Sequence, residues 1–279
     1  MTVYEQDGRD LRLEWGRDGV AALGPHCAVV VVVDVLVFTT TTDIALGRGG
    51  RVLPWRDERA VEAARAAGAL LTRGGLAGVE GRDGGRTTLV ADGAAREWTL
   101  RPSSLVDLPA GTFLAISSPN GATLCAAAAE TGATVLAGCL RNASAVARAA
   151  VEIAGAAPIG IVPAGERWRD TPDKRLRPGI EELLGAGAIA DAIMRLRGDA
   201  AEQNGTGPSA EAELAALTYR AAGSRVAGLV AASVSGRELI AAGVAEDVRL
   251  AGQVDASAVV PQLVDGVLVA RDALSAGST

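Results

Sequence analysis

The chain has a single histidine, His26, a single lysine, Lys174, and three cysteines, Cys27, Cys125 and Cys139. A multi-histidine metal site is excluded. Any Ser-His-Asp or Cys-His arrangement would depend on His26, which lies just before the first apolar run, whereas open α/β sheets carry their chemistry after their strands. Three cysteines without regular spacing argue against a disulfide framework and fit a reducing compartment, so the expectation is a cytoplasmic protein. Aromatic residues are only 3% of the chain, and 27 basic against 33 acidic residues leave a net charge of −6. With no basic stripe and few stacking platforms, nucleic acid is not an expected partner. The amino-terminal 16 residues are charged, and the longest early apolar run, residues 27–33, falls far short of the ~20 residues that span a bilayer, so neither a targeting segment nor a membrane is expected. No G-x-G-x-x-G follows a strand, no Walker lysine loop and no G-x-S-x-G elbow occurs, and no D-x-D pair exists; dinucleotide, P-loop, α/β-hydrolase and aspartyl-phosphate readings fall with them.

What is present is a globular composition, 49% hydrophobic and 22% charged, with 35 glycines in 279 residues. Apolar β-branched runs alternate with alanine-rich stretches of helical period. That pattern predicts an α/β protein: three α/β/α layers, a mostly parallel sheet of strand-loop-helix units, and a small antiparallel insertion. The length suits one domain over 1–279, or two lobes of about 1–110 and 111–279. The first unit is a strand over 28–33, a polar loop through Thr39 to Thr42, and a helix over 43–48. A second has a strand over 51–55 and a helix over 57–67. Residues 72–101 are the insertion, with a hairpin of 86–90 and 96–100 across 91–93. Strands over 112–116, 134–137 and 159–162 follow, the first two with helices from 122 and 143. An irregular stretch to 178 precedes a long amphipathic helix over 180–196. A loop over 198–209, helices over 210–222, 235–242 and 245–250, and a last strand over 267–270 complete the pattern.

Several strand ends carry polar groups: Asp34 with Thr39 to Thr42, Ser117 and Ser118 with Asn120, Arg141 with Asn142, and Glu166 with Arg167. In a parallel sheet these converge on one edge, where helix amino-termini favour an anion such as phosphate. Carboxylates gathered there can serve as oxygen ligands for Mg²⁺. Each feature also has a plainer reading. Asp34 caps a helix as readily as it ligates a metal or attacks a phosphoryl group, the threonines can satisfy a helix start, and Asn120-Gly121 can be an ordinary turn. Glu181 and Glu182 suit a helix amino-terminus by charge alone, Cys139 reads as a buried thiol and His26 as structural. Residues 74–85 are either a flexible connection or a lid.

At these residues the chain resembles the 2-phosphosulfolactate phosphatase family, Mg²⁺-dependent acid phosphatases. The family's D-V-L-R-A-T-T-T is similar to Asp34-Val35-Leu36-Val37-Phe38-Thr39-Thr40-Thr41, its T-T-N-G-T to Ser118-Pro119-Asn120-Gly121-Ala122, and its G-S-x-x-N-A to Gly138-Cys139-Leu140-Arg141-Asn142-Ala143. Its C-A-G and E-D-x-x-x-A-G blocks resemble Pro163-Ala164-Gly165 and Glu181-Glu182-Leu183-Leu184-Gly185-Ala186-Gly187. The chain departs from the pattern at Val37, in place of arginine, and at Pro163, in place of cysteine. The resemblance implies a Mg²⁺-dependent phosphatase acting on a small anionic, phosphorylated 2-hydroxy acid. It implies catalytic Asp34, Glu181 and Glu182, and metal ligands drawn from Asp34, Glu166, Glu181 and Glu182. Substrate would be held by Thr39, Thr40, Ser118, Asn120, Gly121, Arg141, Asn142 and Arg167. The alternative is a relative that binds such a metabolite without catalysis or has shifted its substrate. Valine- and alanine-rich helices leave internal packing and a homodimer face equally open.

Overall fold

The computed structural model describes residues 3–55, 66, 68–72, 88–91, 94–168, 171–198 and 206–272. The helix expected over 57–67, but for residue 66, the segment 74–85 and the middle of the loop over 198–209 lie outside the described residues. Five consecutive valines form β2 (Val29–Val33), all buried, as a parallel strand covered on both faces requires. It lies between β9 (Ile159–Pro163) and β8 (Thr134–Gly138), both parallel to it, and β1 (Leu11–Leu13) pairs in parallel with the far side of β9. A second parallel group contains β3 (Arg51–Trp55), β7 (Phe113–Ser117) and β4 (Leu70–Leu71). Between the groups sits an antiparallel hairpin, β12 (Pro261–Val264) and β13 (Val267–Ala270). The sheet order is β1-β9-β2-β8-β12-β13-β3-β7-β4. The expected small insertion is the ribbon of β5 (Thr88–Ala91) and β6 (Ala94–Glu97), with bounds that differ from the expected 86–90 and 96–100.

Helices α1 (Gly16–Leu23) and α3 (Gly121–Ala129) pack together on one face. The other face carries α4 (Ala143–Ala154) and α5 (Ile180–Arg197), with α6 (Ala210–Ala222) outside α5. Helix α2 (Phe38–Gly47) crosses from β8 over the hairpin to β3. Three short helices, α7 (Val226–Ala232), α8 (Val234–Ala241) and α9 (Ala245–Ala251), follow α6. Strand β1 and helices α1 and α7 were not anticipated from the pattern.

Three expectations are corrected here. Thr39 to Thr42 are not a loop: they form the first turns of α2, fully buried, and the hydroxyls of Thr39, Thr40 and Thr41 bond to backbone carbonyls. Helix α5 is not amphipathic along its first three turns; it is buried from Glu181 to Ile193 save a half-buried Leu183, since α6 covers the side that would have met water. The stretch after β9 is not wholly irregular, because β10 (Glu166–Arg167) and β11 (Leu176–Arg177) make a short antiparallel ladder.

The sheet also revises the picture of one shared edge. Three antiparallel steps separate β8 from β3, so the two parallel groups run in opposite directions. Strand β7 lies five steps from β2. A twist of about 20–25° per step accumulates to roughly 100–125°, which turns the carboxyl ends of β2 and β7 to the same side of the molecule.

Candidate active site

Asp34 is the first residue beyond β2, in the middle of its parallel group, and is 3% exposed. Its loop is clasped by Thr39, whose hydroxyl accepts the Asp34 N–H at 3.1 Å and donates to the Asp34 carbonyl at 2.7 Å. The Thr40 hydroxyl donates to the Val35 carbonyl at 2.8 Å. With the loop so fixed, Asp34 Oδ1 accepts the Phe38 N–H at 3.3 Å, and Oδ2 accepts the Gly121 N–H at 2.7 Å and the Ser118 hydroxyl at 3.4 Å. The carboxylate therefore touches the amino-termini of two helices, α2 from its own group of strands and α3 from the other. Gly121 is required for the approach: a Cβ there would stand 2.6 Å from Asp34 Oδ2 and 2.4 Å from the Phe38 ring.

The amino-terminus of α5 adds two carboxylates. Glu182 Oε2 accepts the Val35 N–H at 2.9 Å, tying the loop after β2 to α5. Glu181 is fully buried, and neither of its carboxylate oxygens has a hydrogen-bond partner. Among the described residues no lysine or arginine forms an ion pair with Asp34, Glu181 or Glu182. The cost of gathering these charges appears in the titration of Asp34 and Glu182. Burial, with a contribution from the Glu181 charge, pushes Asp34 up to about 6 against the hydrogen bonds from Phe38, Gly121 and Ser118. Burial first, then Asp34, Glu181 and Glu166, holds Glu182 well above the ordinary carboxylate range.

An unpaired buried carboxylate costs several kcal/mol, and a bound cation would offset that cost. Carboxylate oxygens are the ligands a hard divalent cation prefers, and the donor chemistry of Asp34, Glu181, Glu182 and Glu166 fits one. No three His, Cys, Asp or Glu side chains among the described residues are already drawn together as a ligand set.

The structure brings Asp34, Ser118, Gly121, Glu181 and Glu182 together, with Glu166 close enough to raise Glu182 electrostatically. Asn120 sits at the amino-terminus of α3, half-buried, its side chain making no hydrogen bond to that terminus. Arg141 and Asn142 are engaged elsewhere. The Arg141 Nε donates to Asp43 at 2.8 Å and its Nη1 to the Leu250 carbonyl and the Gln253 amide oxygen. The Asn142 amide accepts the Cys139 N–H at 2.9 Å and donates to the Val259 carbonyl at 3.2 Å. These two residues fasten the carboxyl-terminal region to α2 and β8, a role that no local pattern signals because Asp43, Leu250, Gln253 and Val259 are each about 100 residues away. Cys139 is fully buried with its thiol pushed far up by desolvation, which excludes it as a nucleophile at neutral pH. Arg167 is exposed on β10 at the rim of a cleft that Arg177 also lines; no local pattern singles out Arg177.

The family model described as 2-phosphosulpholactate phosphatase matches residues 97–266, a span containing Ser118, Asn120, Gly121, Glu166, Glu181 and Glu182. A Deinococcus radiodurans protein named probable 2-phosphosulfolactate phosphatase is 32% identical over 251 residues, 88% of this chain and 92% of that protein. The protein is an α/β phosphoric monoester hydrolase. Within that class, the chain belongs to the 2-phosphosulpholactate phosphatase family.

Proposed function

We propose that the protein is a Mg²⁺-dependent phosphatase that hydrolyses a small phosphorylated 2-hydroxy acid of the 2-phosphosulfolactate kind to the free hydroxy acid and phosphate. The observation that carries the metal-dependent reading is Glu181, a buried carboxylate with both oxygens unpartnered beside Asp34 and Glu182. Asp34, Glu181 and Glu182, with Glu166 at the margin, are the residues that would hold Mg²⁺. When bound, the ion supplies charge neutralisation at phosphoryl oxygens and acidifies a water molecule.

The remaining work belongs to the chain. The Gly121 N–H and Ser118 hydroxyl, now turned to Asp34, and the Asn120 side chain surround the amino-terminus of α3, where the helix dipole and free N–H groups receive phosphoryl oxygens. Thr39 and Thr40 act one step back, holding the Asp34 loop in register through its carbonyls. Helices α2 and α3 and the amino-terminus of α5 keep bulk water from the carboxylates, which strengthens every electrostatic contact in the site. An in-line attack by water then needs the ester bond aligned, and the α3 amino-terminus fixes that direction.

Val37 favours a shift of substrate within the same chemistry. It is 4% exposed at the start of α2, where the resemblance places an arginine, and so it removes a bidentate phosphate or carboxylate contact close to Asp34. Replacing Asp34→Asn tests the assignment: turnover falls by at least about 1,000-fold while the thermal midpoint is unchanged or higher, because a desolvated charge has been removed. An active and equally stable Asp34→Asn enzyme contradicts it.

A further inference from the structure

Helix α6 turns Ala212, Ala215, Ala216 and Ala222 inward, where all four are buried. At about 100° per residue, Ala210, Leu214, Leu217 and Ala221 fall on one stripe along the opposite side. All four are exposed, Leu214 by 64% and Leu217 by 46%. An outermost helix ordinarily carries polar groups on its outer side, so two leucines in register there make an unpartnered apolar seam among the described residues. Glu213 and Arg220 lie along the same flank of that seam, both exposed. Glu213 forms no ion pair among the described residues. Arg220 is held through Nη1 by Asp191 at 3.1 Å, which leaves its remaining N–H groups for a second carboxylate.

The order Ala-Leu-Leu-Ala reads the same from either end of the helix, and so do its spacings. Against a copy of itself across a two-fold axis at right angles to the helix, between Ala215 and Ala216, Leu214 meets Leu217 of the second copy and Ala210 meets Ala221. Symmetry repeats each layer. In such antiparallel pairing the same flanks of the two helices come together, which sets Glu213 beside Arg220 of the second copy, again twice. Parallel pairing would bring Glu213 to Thr218 and form no ion pair. Apolar pattern and charge therefore select one arrangement and one kind of occupant. The helix is about 20 Å long, and a contact of that length falls below the roughly 1,200–2,000 Å² of a standard stable interface, so the pair exchanges in the micromolar range. None of the residues placed in the active site belongs to α6.

We propose that the outer stripe of α6 is the contact between two copies of this chain, packed antiparallel about a two-fold axis through Leu214, Leu217 and the Glu213–Arg220 pairs. Sedimentation velocity on the full chain from about 1 to 200 µM tests it, with the wild type passing from monomer to dimer across that range. Leu214→Glu and Leu217→Glu each remain monomeric throughout, and Glu213→Lys, which turns two attractions into two repulsions, raises the dissociation constant about 10-fold or more. All three positions are exposed, so an unchanged far-ultraviolet circular dichroism spectrum separates lost association from lost folding. Register is read by crosslinking, because the three native cysteines are buried and an introduced thiol reacts alone. With a mild oxidant, a mixture of Leu214→Cys and Leu217→Cys proteins forms the mixed disulfide several-fold faster than either protein forms its own. A wild type monomeric at every concentration overturns the proposal and leaves the stripe to a different protein. A dimer that survives both glutamate variants overturns it in favour of another face, and faster crosslinking within each cysteine variant than between them overturns the antiparallel register.

Discussion

A single residue, Glu181, concentrates the tension in the site. Its carboxylate is buried without a hydrogen bond next to two other acids, which protein alone does not repay. Divalent-ion binding should therefore show as stability. With Mg²⁺ well above its dissociation constant, the gain is about 2–3 kcal/mol, or a thermal midpoint about 5 °C or more above that of the EDTA-treated protein at pH 7.5. Glu181→Gln abolishes that rise and leaves the metal-free midpoint at or above the wild-type value, since an uncompensated charge is gone. Calorimetry of the two proteins with and without Mg²⁺ checks both halves; an unaltered response in the variant contradicts the ligand role. Much at this scale could be read from the sequence. Asp34 after five valines, Ser118 with Gly121, and Glu181 with Glu182 lie at strand or helix ends that local pattern identifies. Arg141 and Arg177 could not be placed, because what they touch, Asp43 and Ser235, is fixed only by the assembled fold.

The elements show why glycine and alanine are so abundant. Helix α5 is wedged between the sheet and α6, and at Gly187 a Cβ would meet the Ala215 carbonyl oxygen, backbone of α6, at 2.2 Å. Asp191, buried on the same helix, receives Arg195 and Arg220 and links α5 to α6 through charge as well as contact. Helix propensity alone says that Gly187→Ala should stabilise by about 1 kcal/mol. The close approach reverses the sign: a net loss of about 1–3 kcal/mol is expected from urea unfolding, and a gain would show that the helices do not meet so closely. Because α5 carries Glu181 and Glu182 at its first turn, the same substitution should also weaken Mg²⁺ binding. Periodicity found α5 and α6 in the sequence. It misjudged the burial of α5, since a helix covered on both sides has no polar face to mark, and it missed β1 and α7, which are three and seven residues long.

At the scale of the whole molecule, the unexpected feature is the hairpin of β12 and β13. Strand-loop-helix repetition predicted the parallel strands β2, β3, β7, β8 and β9 and the layers around them, and the composition of 72–101 the antiparallel ribbon. It did not predict that the last two strands enter the middle of the sheet and set the two parallel groups in opposite senses. Long-range pairing of this kind leaves no local trace, because Gln262 meets Leu136 and Leu268 meets Val52 across more than a hundred residues. The site lies where loops from the two groups meet, Asp34 from one and Ser118 with Gly121 from the other, so neither group alone assembles it. The measurement that bears most directly on the account is phosphate release by the wild-type protein from phosphosulfolactate and a panel of small phosphate esters, in Mg²⁺, in Mn²⁺ and in EDTA. The account predicts release that depends on the divalent ion, disappears in EDTA and is greatest for acidic 2-hydroxy-acid esters. Release of equal rate in EDTA, or none from any ester by the folded, Mg²⁺-supplied protein, would contradict it.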